Sequence, residues 1–120
     1  MAKSVSNDVL DAALNELATG NIMVACSAEP TNRTEAVTTY ALADHTMTGG
    51  DYTNADGTSG RKCTIAAQSG VTVDTTGTAT HVAICDASVL LYVTTCTSQA
   101  LTSGNTVDFP AWDVELADPT

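Results

Sequence analysis

Between Lys62 and Val93 short apolar stretches are separated by clusters of turn residues. This pattern, in "KCTIAAQSGVTVDTTGTATHVAICDASVLLYV", reads as a long β-region whose turns permit a register to be assigned. A loop Gln68–Ser69–Gly70, with Gly70 left-handed, sets Ala67 opposite Val71 and Ile65 opposite Val73. A Thr76–Gly77 turn sets Val71 opposite Val82 and Val73 opposite Thr80. A turn at Ala87–Ser88 sets Ile84 opposite Leu91 and Val82 opposite Val93. The three turns agree on one apolar row, Ala67–Val71–Val82–Val93, and predict a four-stranded antiparallel meander over 62–95. A slip of one residue would turn part of that row to water.

The rest of the chain extends the same architecture. Residues 4–19 predict one amphipathic helix, capped by Ser6 or Asn7, with Val9, Leu10, Ala13, Leu14 and Leu17 on one face. Gly20 stands where a left-handed helix cap is expected. "NIMVACS" (21–27) is apolar on both faces and predicts a short strand. "EPTNRTEA" reads as a polar turn and "VTTYALA" (37–43) as a second strand. Near the C-terminus, Val107 and Phe109 alternate in one phase and Trp112, Val114 and Leu116 in the other. Pro110 lies at the change of phase, which predicts a bulge or a sheet edge there. The expected fold is a single mainly β domain over 1–120, an antiparallel sandwich or barrel of about seven strands with one N-terminal helix. At 120 residues such a domain can bury a core without staples, and 21 threonines suit half-wet sheet faces.

Charge narrows the function classes. Fourteen acidic residues against four basic ones give a net charge of −10, which disfavours nucleic acid and anionic membranes as partners. Asp8, Asp11 and Glu16 interrupt what would be the apolar part of a signal peptide, and no run approaches a membrane span. The expectation is synthesis in a cytosol.

"GGDYTNADGTSGRK" (49–62) concentrates four glycines, two aspartates and half of the basic residues. Aligned as a calcium loop, it offers Asn54, Asp56 and Gly57 at the third, fifth and sixth positions. Tyr52 then stands at the first and Cys63 where the bidentate glutamate belongs. "GTSGRK" lacks the phosphate-loop spacing and precedes a strand, not a helix. The segment therefore reads as a strand-connecting loop with turns at Asp56–Gly57 and Gly60, available for protein contact. The candidate contact residues are Arg33, Asp51, Tyr52, Asn54, Asp56, Arg61 and Lys62.

Cys26, Cys63, Cys85 and Cys96 lack zinc-binding spacing and read as four free thiols. His81 shares a strand face with Cys85, but no acidic residue or oxyanion loop accompanies them. The reading is a non-enzymatic chain with no cofactor and no metal.

The succession "CSAEPTNRTEA", "YALADHTMTGGDYTNADGTSGRK", "TIAAQSGVTVDTTGTATHVAI" and "LLYVTTCTSQALTSGNTVDFPAWDVELADP" covers about residues 22–119. It resembles small virion structural proteins of tailed bacteriophages. The resemblance implies a capsid decoration or cement protein that binds the outside of the assembled shell and bridges subunits of the major capsid protein. It also implies a homo-oligomer, with a trimer fitting local three-fold positions, made in the host cytoplasm and located in the virion. The competing reading is a tail, neck or fibre component that binds a host-surface carbohydrate.

Overall fold

The computed structural model describes residues 4–118. It is mainly β, with one N-terminal helix and nine strands in three antiparallel sheets. The elements are α1 (Asn7–Leu17), β1 (Ile22–Cys26), β2 (Ala41–Thr46), β3 (Tyr52–Asp56), β4 (Arg61–Ile65), β5 (Gln68–Thr72), β6 (Gly77–Cys85), β7 (Leu90–Leu101), β8 (Thr106–Phe109) and β9 (Trp112–Leu116). The sheet orders are β2-β1-β6-β7, β3-β4-β9 and β5-β8. The four-stranded sheet packs its inner face on the two smaller sheets, giving a sandwich-like arrangement.

The doubly apolar run at 21–27 takes the most enclosed place. β1 lies between β2 and β6, with Met23 paired to His45 and Ile84, and Val24 to Asp44 and Ala83. Met23 and Ala25 face the main core with Ile84, Val82, Ile65, Val73 and Leu14. Val24 and Cys26 face the other way and form a second cluster with Ala36, Ala83 and Cys85. A π-helical turn, Glu35–Thr39, lays Ala36 and Val37 over that outer face. The expected strand at 37–43 therefore begins only at Ala41. Its first half is needed as a lid, and Tyr40 N–H closes the turn on the Glu35 carbonyl at 2.8 Å.

The meander over 62–95 does not form. Only its last hairpin, β6–β7, pairs as neighbours in sequence. β4 pairs instead with β3 and β9, so Ile65 meets Tyr52 and Trp112. β5 pairs with β8, with Val71 opposite Val107. Of the expected apolar face, Ile65, Val71, Val73, Val82 and Ile84 are buried, whereas Ala67 is exposed. Alternation specifies which side chains point inward and leaves open which strand lies alongside. Within β6–β7, Cys85 pairs with Leu90 as the turn requires. A bulge then absorbs Leu91, so that Ile84 faces Tyr92 and Val82 faces Thr94. That shift sends Val93 to the outer cluster.

Two glycine expectations separate. Gly70 is left-handed, at φ 68°, within a bulge in β5 rather than in a hairpin loop. Gly20 is not left-handed; α1 ends at Ala18 in right-handed geometry. Glycine is required at 20 for space. A Cβ there would collide with Ile84 Cγ2 and come within 2.8 Å of the Tyr52 hydroxyl. That hydroxyl donates to the Gly20 carbonyl at 2.9 Å, joining β3 to the chain between α1 and β1.

Gly20→Ala is expected to destabilise by about 1–3 kcal/mol through overpacking. Tyr52→Phe is expected to cost about 1–3 kcal/mol by leaving a buried carbonyl without its donor. Urea unfolding checks both, as a lower midpoint at unchanged slope.

Candidate interaction surfaces

The segment 49–62 is a hairpin, not a loop. A 3₁₀ turn over Gly49–Asp51 leads into β3, and Gly57–Gly60 makes the tight return into β4. The Gly57 amide donates to the Gly60 carbonyl at 3.1 Å, and Gly60 takes φ 83°. A Cβ at Gly60 would meet the Leu116 backbone. Among the four glycines of this segment, Gly60 thus serves close backbone packing, Gly57 lies against the Glu115 side chain, and Gly49 faces open space.

The candidate contact residues fall in two separate places, and each has intramolecular work. Arg61 Nε donates to Asp11 Oδ1 at 2.8 Å, and its NH1 donates to Asp56 Oδ1 at 2.8 Å. Its NH2 reaches Asp11 Oδ2 at 3.3 Å. The fork ties the hairpin to α1 and raises the Arg61 pKa, chiefly through the hydrogen bond to Asp11. Asn54 Nδ2 donates to Asn15 Oδ1 at 3.0 Å, a second tie to the same helix. Lys62 lies 3.6 Å from Asp113 on β9. Tyr52 is buried, and burial, followed by the nearby Asp51 and Cys63, pushes its hydroxyl up to about 12.

Asp51 closes the 3₁₀ turn, its Oδ2 accepting from the Thr48 amide at 2.8 Å and its Oδ1 from Gln68 Nε2 at 3.1 Å. The Thr48 amide is the main cause of its depressed pKa. The contribution is present above the ordinary aspartate range and is lost as pH falls through the lowered value. Arg33 lies apart from this group, its Nε donating to the Asp86 carbonyl at 2.7 Å in the β6–β7 turn.

No group of three or more metal-ligating side chains occurs among the described residues. Cys26 sits opposite His81, which holds a 2.8 Å contact from Nδ1 to Thr80 Oγ1. Burial, with smaller contributions from Cys85 and Cys96, pushes the Cys26 thiol up to about 12. Burial raises Cys63 and Cys85 as well. These thiols stay protonated at neutral pH, the opposite of an activated nucleophile. No helix of the described residues is long and apolar enough to cross a membrane.

A second surface emerges only from the pairing. β7 ends one sheet and β9 ends another, and the seam between them is bridged by Tyr92 and Trp112, with ring centroids 5.8 Å apart. A depression of about 290 Å³ on one side is lined by Val82, Thr94, Cys96, Phe109, Pro110 and Trp112 among others. Another of about 180 Å³ is lined by Leu14, Leu17, Leu91, Tyr92, Val114 and Leu116 among others. The alternation of Trp112, Val114 and Leu116 is visible in the sequence. That it would border an open seam depends on β9 pairing with β4, which is 49 residues away at Thr64–Asp113.

Compared with protein-family models, with curated proteins and with solved structures, the chain matches none.

Cys96 is exposed, while the other three cysteines are buried. Iodoacetamide at alkaline pH is therefore expected to modify Cys96 alone in the folded protein, and all four thiols after unfolding. Mass spectrometry of the alkylated chain reads the count. Rapid labelling of Cys26 or Cys85 at neutral pH would contradict this assignment.

Proposed function

We propose that this chain is a non-enzymatic structural protein of a tailed-bacteriophage particle, acting as a decoration or cement protein on the outer face of the capsid shell. This reading rests on the resemblance of residues 22–119, in the successive segments quoted above, to small virion structural proteins. The chemistry of the chain is compatible with it. The three buried thiols are protonated, and Arg33, Arg61 and Lys62 hold other parts of the same chain. A sandwich built this way offers a rigid, threonine-rich acidic surface to a repeated partner. Its partner in this reading is the major capsid protein of the same phage, and its own state is a homo-oligomer, with a trimer suited to local three-fold positions.

The test is the copy number of the chain in purified particles, by quantitative mass spectrometry against the major shell protein. Decoration is expected to give a ratio near one or a simple fraction such as about one-third. A few copies per particle would move the chain to the neck, tail or fibre. Absence from particles would overturn the virion reading.

A further inference from the structure

The free edge of β9 is an unfinished sheet. β9 pairs with β4 over its whole length, Trp112 to Ile65 through Leu116 to Arg61, without a bulge. Its other edge has no strand beside it among the described residues. Edge strands in stable proteins are commonly protected by lysine, proline, a bulge or short length. At five residues β9 is of ordinary strand length, it has no lysine, proline or bulge, and its only charges, the carboxylates of Asp113 and Glu115, lie on one face. β7, across the seam, differs in this respect, since its pairing with β6 is interrupted by two bulges.

The two faces of β9 carry different chemistry. Trp112, Val114 and Leu116 point to the core side, beside Tyr92 and Leu91 and the two apolar depressions. Asp113 and Glu115 point to the other side and are exposed. Asp113 accepts from Thr64 Oγ1 at 2.7 Å and meets Lys62 at 3.6 Å; Glu115 accepts from the Ser59 amide at 2.9 Å. Among the described residues, Lys62 is the one cation paired with either carboxylate. From Leu90 to Asp118 the chain has no lysine, arginine or histidine, and it carries Asp108, Asp113, Glu115 and Asp118.

We propose that β9 accepts an added strand from a partner protein, an extended segment in which apolar and basic residues alternate. Main-chain hydrogen bonds to the free edge supply the attachment, and side-chain alternation supplies the selection. In an added strand the apolar side chains enter the seam next to Trp112 and Leu116. The alternate basic side chains then stand across from Asp113 and Glu115, where opposite charges on neighbouring strands attract. A second copy of this chain is the poorer occupant. It brings a further net charge of −10, and its own β9 would set acidic residues against acidic residues. The inference concerns the chemistry of the edge and stands apart from the particle in which the chain resides.

Trp112 is the only tryptophan and lies at the edge, so its emission reports occupation. The full chain is titrated with three capped octapeptides, KVKVKVKV, EVEVEVEV and KGKGKGKG, reading Trp112 emission and amide exchange along β9. The lysine–valine peptide is expected to shift the emission and to slow exchange of alternate β9 amides. It should bind roughly tenfold more tightly than either control. Asp113→Asn with Glu115→Gln is expected to abolish that preference over the glutamate peptide, with circular dichroism confirming the fold. No response to the lysine–valine peptide up to millimolar concentration would overturn the proposal. So would equal binding of the lysine–glycine peptide, which would show adsorption by charge alone. Protection of the β9 amides that rises with the chain's own concentration would assign the edge to a second copy instead, and would also overturn it.

Discussion

The structure depends on β1 being a central strand. Met23, Val24 and Cys26 are fully enclosed, and β1 is bonded on both edges, to β2 and to β6. Each large apolar side chain buried this way contributes about 1.5–3 kcal/mol. A strand buried on both faces needs a second layer on its far side. That need explains the π-helical turn over Glu35–Thr39, which gives up strand geometry to cover Val24 and Cys26. It also explains the glycine at 20. The chain passes from α1 into β1 against Ile84, where no side chain fits.

The hairpin β3–β4 and the helix are fastened to this sheet by complementary means. Leu10, Leu14 and Leu17 bury the apolar stripe of α1, and their combined burial outweighs any ion pair at the surface. Arg61 then fixes how the helix lies, because its planar fork reaches Asp11 on α1 and Asp56 on the hairpin at once. A run that reads as a strand-connecting loop in the sequence becomes, in three dimensions, the seat of a helix. Arg33, Arg61 and Lys62 are each engaged within the chain, and the acidic β8–β9 region has no basic residue of its own.

The helix, a cap at Ser6 or Asn7, and the inward-facing Ile65, Val71, Val73, Val82 and Ile84 are legible in the sequence, while Ala67 and Val93 depart from the expected face. These are local quantities, set by periods of 3.6 and 2. The pairing of strands was not legible, because sequential and distant partners satisfy the same alternation equally well. Ile65 could meet Val73 in a local hairpin or Trp112 across the sandwich, and the second arrangement completes the core. The bulge at Leu91 was hidden for the same reason: the Ala87–Ser88 turn is right, but nothing in its residues announces the extra one that follows. The contact candidates are legible as polar groups, but their intramolecular partners are not: Arg61 holds Asp11 and Asp56, Lys62 meets Asp113, Asn54 binds Asn15 and Arg33 binds the Asp86 carbonyl. Trp112 and the edge of β9 carry a sequence signal in their alternation, but their exposure depends on which strand β9 joins.

The central claim is that β1 organises the sandwich through non-local pairing, with no sequential meander as its nucleus. Native-state amide hydrogen exchange tests it most directly. The amides of Val24 and Ala25, with Val82 to Ile84 on β6, are expected to exchange only through global unfolding, at the highest protection in the chain. Those of Gln68 to Thr72 on the two-stranded β5–β8 sheet should open earlier. The opposite order, with 62–75 protected to the global limit and β1 exchanging through local opening, would contradict the account.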